Sequence, residues 1–403
     1  MRPLRLLLAV VCALVGATAA LAQDADEDDA LGDGAVESSE QTSPLGLDWS
    51  VGMRGGYSAN SITGGMPAVT LNPEASLQLG GESSLTRYEA GGELSFNAAG
   101  QGRVADLHGG VTGSLRLGPS TSISGSINGE VTQDEPHASG LPANTLHAPL
   151  ELDGTAQGVL TQDMGRVDAT LTLDGRRFVT GPTTLDDLST VDNAHQSYWE
   201  GGGTLRLGYE LTPLLSSFVE GETSVQKFDA PDPTLLTYLD GRTYQLRAGL
   251  SYTHGSVLSA EASIGRGWLD YYNGAIVDTQ DWVYNGSVTF NPDETLSLVG
   301  ALETALRPSD ATPGDTDVET TLSSTARYVV NPWLTLRASG SWDRTVALGT
   351  GGNSWGLEGN LGLDYRSSRM LTWTADYTYA RDYAPPAPVS DTHTVEVGVR
   401  IAR

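Results

Sequence analysis

The sequence predicts an all-β protein, a transmembrane antiparallel up-and-down β-barrel of about eighteen strands (range ~16–18), and three observations carry that prediction. From residue 46 onward apolar and polar residues alternate with period two. The strands defined in this way are joined by connections that are alternately short and long. Beyond residue 22 no stretch approaches the ~18 uninterrupted apolar residues of a membrane helix.

The chain opens with features of export. Arg2 and Arg5 charge the start, Leu6 to Val15 form an apolar run, and Ala20-Leu21-Ala22 supplies a small-x-small cleavage site, so residues 1–22 read as a secretory signal peptide and the mature chain begins at Gln23. The single cysteine, Cys12, lies inside that peptide, which leaves the mature chain without disulfides or a thiolate metal site. Val11 before it is too large for the small residue that lipoprotein-type cleavage requires. Residues 23–45 carry Asp24, Asp26, Glu27, Asp28, Asp29, Asp33, Glu37 and Glu40 and no Lys or Arg, the composition of a disordered acidic tail on the periplasmic side. The alternation of Asp24, Asp26 and Asp28 hints at a calcium loop, but Asp29 stands where that loop needs its glycine.

Composition narrows the function classes. The formal net charge is -27, and loss of Arg2 and Arg5 with the signal makes the mature chain more acidic still, so nucleic acid is excluded as a partner. Glycine is abundant, 49 of 403 residues, while only 39% of residues are hydrophobic, and neither amphipathic helices nor a dense apolar core is visible.

The barrel is assigned to residues 46–403. Leu47, Trp49, Val51 and Met53 alternate with Asp48, Ser50, Gly52 and Arg54, and the same two-faced pattern recurs at Leu205–Tyr209, Tyr244–Tyr252, Trp282–Phe290, Trp355–Tyr365 and Val395–Ile401. Strands are expected near 46–57, 67–79, 85–98, 103–117, 121–132, 147–160, 166–178, 196–210, 215–227, 242–253, 257–270, 280–290, 295–307, 317–329, 333–345, 353–366, 370–381 and 392–403. Each has room for the ~9–11 residues of a tilted membrane strand.

Tight turns are expected at Gly80-Gly81, Gly118-Pro119, Thr212-Pro213, His254-Gly255, Asn291-Pro292, Asn331-Pro332 and Ser367-Ser368, and long loops at 133–146, 179–195, 228–241, 271–279, 308–316 and 382–391. An even strand count then returns both termini to the short-turn, periplasmic rim. Aromatic residues gather at both strand ends: Tyr209, Phe290, Trp333, Tyr365 and Trp373 near the turns, and Tyr57, Trp268, Tyr271, Trp342 and Tyr383 near the loops. A soluble sandwich or propeller would also supply many short strands, but no repeat of ~40–50 residues is present and a sandwich gives no reason for alternating loop lengths.

Motifs for chemistry are sparse. Gly352-Asn353-Ser354-Trp355-Gly356 matches the G-x-S-x-G elbow of serine hydrolases but lies between a loop and a strand, without the helix that elbow needs. The histidines at 108, 137, 147, 195, 254 and 393 show no ligand spacing. No catalytic residue, cofactor or metal ligand is assigned. Charges on the polar faces are more informative: Arg116, Arg206, Arg247, Arg337, Glu261, Asp364 and Asp376 each sit between apolar neighbours, and Arg54 and Glu93 have a glycine on one side. An arginine on the lipid face near the midplane costs about 2–4 kcal/mol, so these nine are candidate lumen-lining residues, some of them pairing to brace the wall.

Asp240-Gly241-Arg242-Thr243-Tyr244-Gln245-Leu246-Arg247-Ala248-Gly249-Leu250, followed by Ala260-Glu261-Ala262-Ser263-Ile264-Gly265 and Asp270-Tyr271, resembles the outer-membrane porins of the "beta-barrel porin 2" type. The resemblance covers most of 46–403 and implies an outer-membrane barrel, with no catalytic residues. The chain departs from such barrels in ending Ile401-Ala402-Arg403, where they commonly end on an aromatic residue read by the assembly machinery. The expected function is passive diffusion of small hydrophilic solutes through a porin-like channel. An exopolysaccharide export duct and a structural or adhesive barrel are the alternatives. The expected partners are outer-membrane lipid and lipopolysaccharide, the barrel-assembly machinery and the permeating solutes.

Overall fold

The computed structural model describes residues 46–403 except 62–63, 82, 98–101, 137–140, 143, 310–313, 350–351 and 386–388. The expected signal peptide with Cys12, and the acidic tail over 23–45, lie outside the described residues. In chain order the strands are β1 (Leu47–Asn60), β2 (Gly64–Gly81), β3 (Ser84–Asn97), β4 (Gly102–Arg116), β5 (Thr121–Gln133), β6 (Thr145–His147), β7 (Leu150–Asp163), β8 (Val167–Thr180), β9 (Thr183–Leu185), β10 (Thr190–Val191), β11 (Tyr198–Thr212), β12 (Leu215–Phe228), β13 (Gly241–His254), β14 (Leu258–Tyr271), β15 (Thr279–Phe290), β16 (Leu296–Pro308), β17 (Thr316–Asn331), β18 (Leu334–Ala347), β19 (Asn353–Arg366), β20 (Leu371–Tyr383) and β21 (Ser390–Ala402).

Eighteen of these form one antiparallel sheet in which each strand pairs with its neighbours in the chain. Pairing of β1 with β21, from Ser50↔Ala402 to Asn60↔Thr392, closes it into a barrel. A strand of 14 residues is roughly 48 Å long, and a tilt of about 40° still leaves roughly 36 Å along the axis, more than the ~25 Å apolar band of an outer-membrane barrel. The alternation read from sequence places the apolar residues on the outer face, where Met53, Leu205, Leu207, Leu246, Leu250, Leu361, Val395 and Val397 are all exposed.

The turn rim is built from one repeated device. The side-chain oxygens of Thr212, Asp293, Asn331 and Ser368 each accept hydrogen bonds from backbone N–H groups two and three residues on, such as Asn331 Oδ1 from Trp333 N (2.9 Å) and Leu334 N (3.0 Å). Both ends of the barrel meet at this rim, with Arg403 N donating to the Trp49 carbonyl at 3.0 Å.

Three expectations are corrected. The strand expected at 147–160 runs instead from Leu150 to Asp163; Pro149, which lacks an N–H, ends the preceding loop, and Thr145–His147 joins β9 and β10 in a small separate sheet. β7 then turns through Gly165, whose φ of 88° favours glycine. On the loop side β1 and β2, β3 and β4, and β18 and β19 are separated by only 61–63, 98–101 and 348–352, so the length alternation does not hold at every connection. Tyr271 belongs to no outer girdle: it is buried on the inner face and its hydroxyl donates to the Asp315 carbonyl at 2.7 Å.

That tyrosine marks a local overlap of the wall. β15 and β16 pair only from Phe290↔Leu298 to Gly286↔Leu302. Beyond this point β15 keeps its β14 partner and β16 keeps β17, but they part from each other. Thr304, Leu306 and Thr316 continue the parity that faces outward lower down, yet they are buried. They lie behind the inner face of β14 and β15: a Cβ at Gly267 would stand 2.9 Å from Leu306 Cδ1 and 3.1 Å from Val283 Cγ1, so a side chain there would have to push Leu306 aside. Thr279 Oγ1 donates to Thr316 Oγ1 at 2.6 Å. Above the overlap Phe228, Leu239, Leu269, Tyr271 and Ile276 pack together, with Tyr198 against them, under the loops 229–240 and 272–278. The upper part of the β16–β17 hairpin is thus folded inside the barrel and held there by apolar burial.

The overlap brings Thr279 and Thr316, remote in sequence, within hydrogen-bond distance, and Cys12 is the chain's one native cysteine. A Thr279→Cys/Thr316→Cys variant should therefore form an intramolecular disulfide on mild oxidation, seen as a reducible shift in gel mobility. Continued failure to oxidise in a folded barrel would show that the hairpin lies elsewhere.

Candidate functional site

The face opposite the exposed apolar rows gathers charged side chains into two groups. The first spans β11 to β14. Arg206 on β11 forms a two-pronged contact with Glu261 on β14, at 2.8 and 2.7 Å, and lies 3.9 Å from Glu220 on β12. Arg247 on β13 pairs with the same Glu220, and with Glu222 at 3.4 Å. The Arg206 guanidinium also lies over the ring of buried Phe218, 3.6 Å from its centroid. Strand register explains the grouping, because Arg206↔Glu220 and Glu220↔Arg247 are direct cross-strand partners on one face.

The second group spans β18 to β21 and reaches β1. Arg337 on β18 bonds Asp364 on β19 at 2.9 Å and Asp376 on β20 at 3.0 Å. A side chain at Gly362 would collide with both partners, 2.5 Å from Asp376 Oδ1 and 2.9 Å from Arg337 Cζ, so glycine there lets the arginine cross the intervening strand. Asp376 stands opposite Glu396 on β21, which pairs with Arg54 at 3.7 Å. A further inner-wall arginine, Arg176 on β8, is bound by Asp153 on β7 at 2.6 Å.

Seven of the nine sequence-predicted residues therefore fall in these two groups: Arg206, Arg247 and Glu261 in one, and Arg54, Arg337, Asp364 and Asp376 in the other. Glu93 stands apart on β3 and accepts a hydrogen bond from Asn72 at 2.8 Å. Arg116 is the exposed last residue of β4 at the turn rim, away from both groups.

Carboxylates outnumber these arginines along the inner face. Among the described residues Glu93, Glu130, Asp174 and Glu200 have no cation within ion-pair distance, whereas Arg54, Arg176, Arg206, Arg247 and Arg337 are all matched by carboxylates. Gly352–Gly356 contributes no serine elbow, since Asn353 and Ser354 already lie in β19. Among the described residues no group of His, Cys, Asp and Glu is placed to hold a metal ion.

An eighteen-stranded closed wall with a charged interior leaves an aqueous channel, and comparison with known sequences decides the family. A family model described as "Putative beta-barrel porin 2" matches residues 58–403. The chain belongs to this family of outer-membrane β-barrel porins. No protein of curated function matches it. Among solved structures it is similar in fold to OpdK of Pseudomonas aeruginosa (11% identity, 89% of this chain and 99% of that one, TM-score 0.44). It is likewise similar to OpdL of the same organism (14%, 89% and 98%, TM-score 0.43) and to the FrpB iron transporter of Neisseria meningitidis (12%, 84% and 62%, TM-score 0.43).

Several inner-wall residues of this porin escaped the sequence reading. Glu396 carries the signal used for the others, a charge between Val395 and Val397, and was legible. Glu220, between Val219 and Gly221, has the same one-sided signal as Arg54 and Glu93 and was legible too, whereas Glu222, between Gly221 and Thr223, and Arg176, between Gly175 and Arg177, have no apolar neighbour to mark them.

The pairing makes a stability prediction. Arg247 and Glu220 are the least exposed members of the first group, at 11% and 13% of their side-chain surface. Arg247→Gln leaves Glu222 without a cation and Glu220 with only Arg206 at 3.9 Å, and should destabilise the porin by about 1–3 kcal/mol, less than a fully buried pair because the lumen is wet. Adding Glu220→Gln should recover part of that loss. The check is the urea midpoint for folding into phospholipid vesicles, where equal midpoints for Arg247→Gln and the parent would refute a bracing role.

Proposed function

We propose that this porin is a non-enzymatic channel through which small hydrophilic solutes, cations above all, diffuse passively. The observation that supports the reading is the state of the inner-wall charges: Arg54, Arg176, Arg206, Arg247 and Arg337 are occupied by carboxylates, and carboxylates without a cation, Glu93, Glu130, Asp174 and Glu200 among them, are left on the same face. An acidic lining raises the local concentration of cations and lowers that of anions. The loops add to it, with Asp186, Asp187, Asp192, Asp229, Asp232 and Asp240 in the two connections around β11 and β12. On this reading the chain is placed in the membrane by the barrel-assembly machinery and its outer face meets lipid and lipopolysaccharide.

Reversal potentials in planar bilayers under a potassium chloride gradient test the charge preference. The parent porin should favour potassium at low salt, and the preference should fade as salt shortens the Debye length from ~8 Å at physiological strength. Glu93→Gln, Glu130→Gln, Asp174→Asn and Glu200→Gln together should weaken it at unchanged fold. A clear chloride preference in the parent at low salt would overturn the assignment.

Orientation follows from placing the long loops outside and both termini in the periplasm. A protease-cleavable tag at Pro231, in the 229–240 loop, should be cut on intact cells, and one at Asn331, on the turn rim, should be protected. The reverse pattern refutes the orientation.

A further inference from the structure

The outer face of the wall holds a second set of cations with a different environment. In the loop-side half of β8 to β15, Arg177, Lys227, Arg242 and Arg266 occupy outward positions interleaved with Trp199, Tyr244, Trp268 and Trp282. Register makes the row continuous. Trp199 on β11 stands directly between Arg177 on β8 and Lys227 on β12. Arg242 on β13 is opposite Val225, two residues from Lys227 on the same face, so their side chains are diagonal neighbours at roughly 7–8 Å. Tyr244 then faces Trp268, and Arg266 faces Trp282. The guanidinium groups lie along the rings, Arg177 4.9 Å from the Trp199 centroid, Arg266 5.1 Å from Trp282, and Arg242 5.6 Å from Tyr244.

What marks this row is its counter-charge. Arg177 is held by Asp229. Among the described residues no carboxylate lies within ion-pair distance of Lys227, Arg242 or Arg266, although the chain as a whole carries 50 acidic residues against 23 basic ones. On the inner wall, by contrast, Arg54, Arg176, Arg206, Arg247 and Arg337 each meet a carboxylate, whereas Arg327, opposite Arg337, has none within ion-pair distance among the described residues. Lys227 is moreover the single lysine of the sequence. Cations on the lipid face are tolerated only near the interface, where the penalty falls to about 0–1 kcal/mol, and aromatic neighbours hold them at that depth. Asp270, opposite Arg242 in register on the same face, stays beyond ion-pair distance, which leaves all three cations open to anionic groups of the surrounding lipid.

We propose that the Lys227–Arg242–Arg266 row is a docking surface for a phosphorylated glycolipid of the outer leaflet, with the cations on its phosphates and Trp199, Trp268 and Trp282 at the boundary of its sugar and acyl regions. Phosphate fits because guanidinium binds it with two parallel hydrogen bonds and ammonium as a point charge. The proposal rests on the orientation that puts the long loops outside.

The test uses the full barrel in non-ionic detergent, titrated with bis-phosphorylated lipid A and read by native mass spectrometry. The parent should bind it more tightly than monophosphoryl lipid A, and millimolar inorganic phosphate should not displace it. Lys227→Gln/Arg242→Gln/Arg266→Gln should raise the half-saturating concentration by roughly tenfold, and Arg116→Gln, at the opposite rim, should leave it unchanged. Lys227→Gln alone, at an exposed position, should give a smaller loss in the same direction and serves if the triple variant fails to show the heat-modifiable mobility of a folded barrel. Unchanged binding in the variants, an equal loss in Arg116→Gln, displacement by inorganic phosphate, or preference for phosphatidylglycerol would each overturn the proposal. The tag experiment above reads orientation alone and tells whether that premise failed with it.

Discussion

The structure depends on one constraint: a backbone that crosses hydrocarbon must find hydrogen-bond partners within the protein, since lipid offers none. Pairing of β1 with β21 meets that constraint by removing the two edges that any open sheet would expose. Closure dictates the rest. A closed wall has an inside and an outside, period-two alternation assigns each side chain to one of them, and the apolar half of every strand must face out. The exposed rows of Leu, Val, Trp and Tyr on this barrel are therefore a solvation requirement imposed by the membrane, where a water-soluble protein would bury them.

The same division sorts the charges. Inside, arginines from adjacent strands meet carboxylates across the register and tie three or four strands together at a time, as Arg206, Glu220 and Arg247 do across β11, β12 and β13. Such pairs contribute to the wall in proportion to how far they are shielded from lumen water. Outside, the basic residues stay near the loop-side interface and lean on aromatic rings. One polypeptide thus uses arginine in two ways, and the side of the wall decides which.

Most of the barrel was legible in the sequence because a membrane strand obeys a strict rule. Strand limits at 121–133, 215–228, 279–290 and 353–366 agree with the alternation to within a residue, and turns at Thr212, Asn331 and Ser368 were marked by side chains that bond their own backbone. Inner charges could be found by their apolar neighbours but not matched to partners, since which carboxylate meets Arg247 depends on register across strands. The overlap at β15 and β16 was not legible. Leu306 has the same parity as Leu302 and reads as lipid-facing; what moves it inside is a loss of pairing that no irregularity in the sequence announces, and the one local trace is the absence of a side chain at Gly267.

That overlap has a geometric consequence for transport. At the turn rim the perimeter is a full circuit of eighteen strands, whereas at the loop rim roughly one to two strands' width is folded within it, which takes about a tenth to a fifth from the enclosed cross-section before the hairpin's own bulk is counted. The bore therefore tapers toward the loops. The paired arginines Arg206 and Arg247 sit on β11 and β13, strands that keep the full circuit, so the residues that narrow the bore and those that carry these paired charges are separate sets. Width and lining charge can therefore be altered independently, the first at the β15–β16 overlap and the second at the cross-strand pairs.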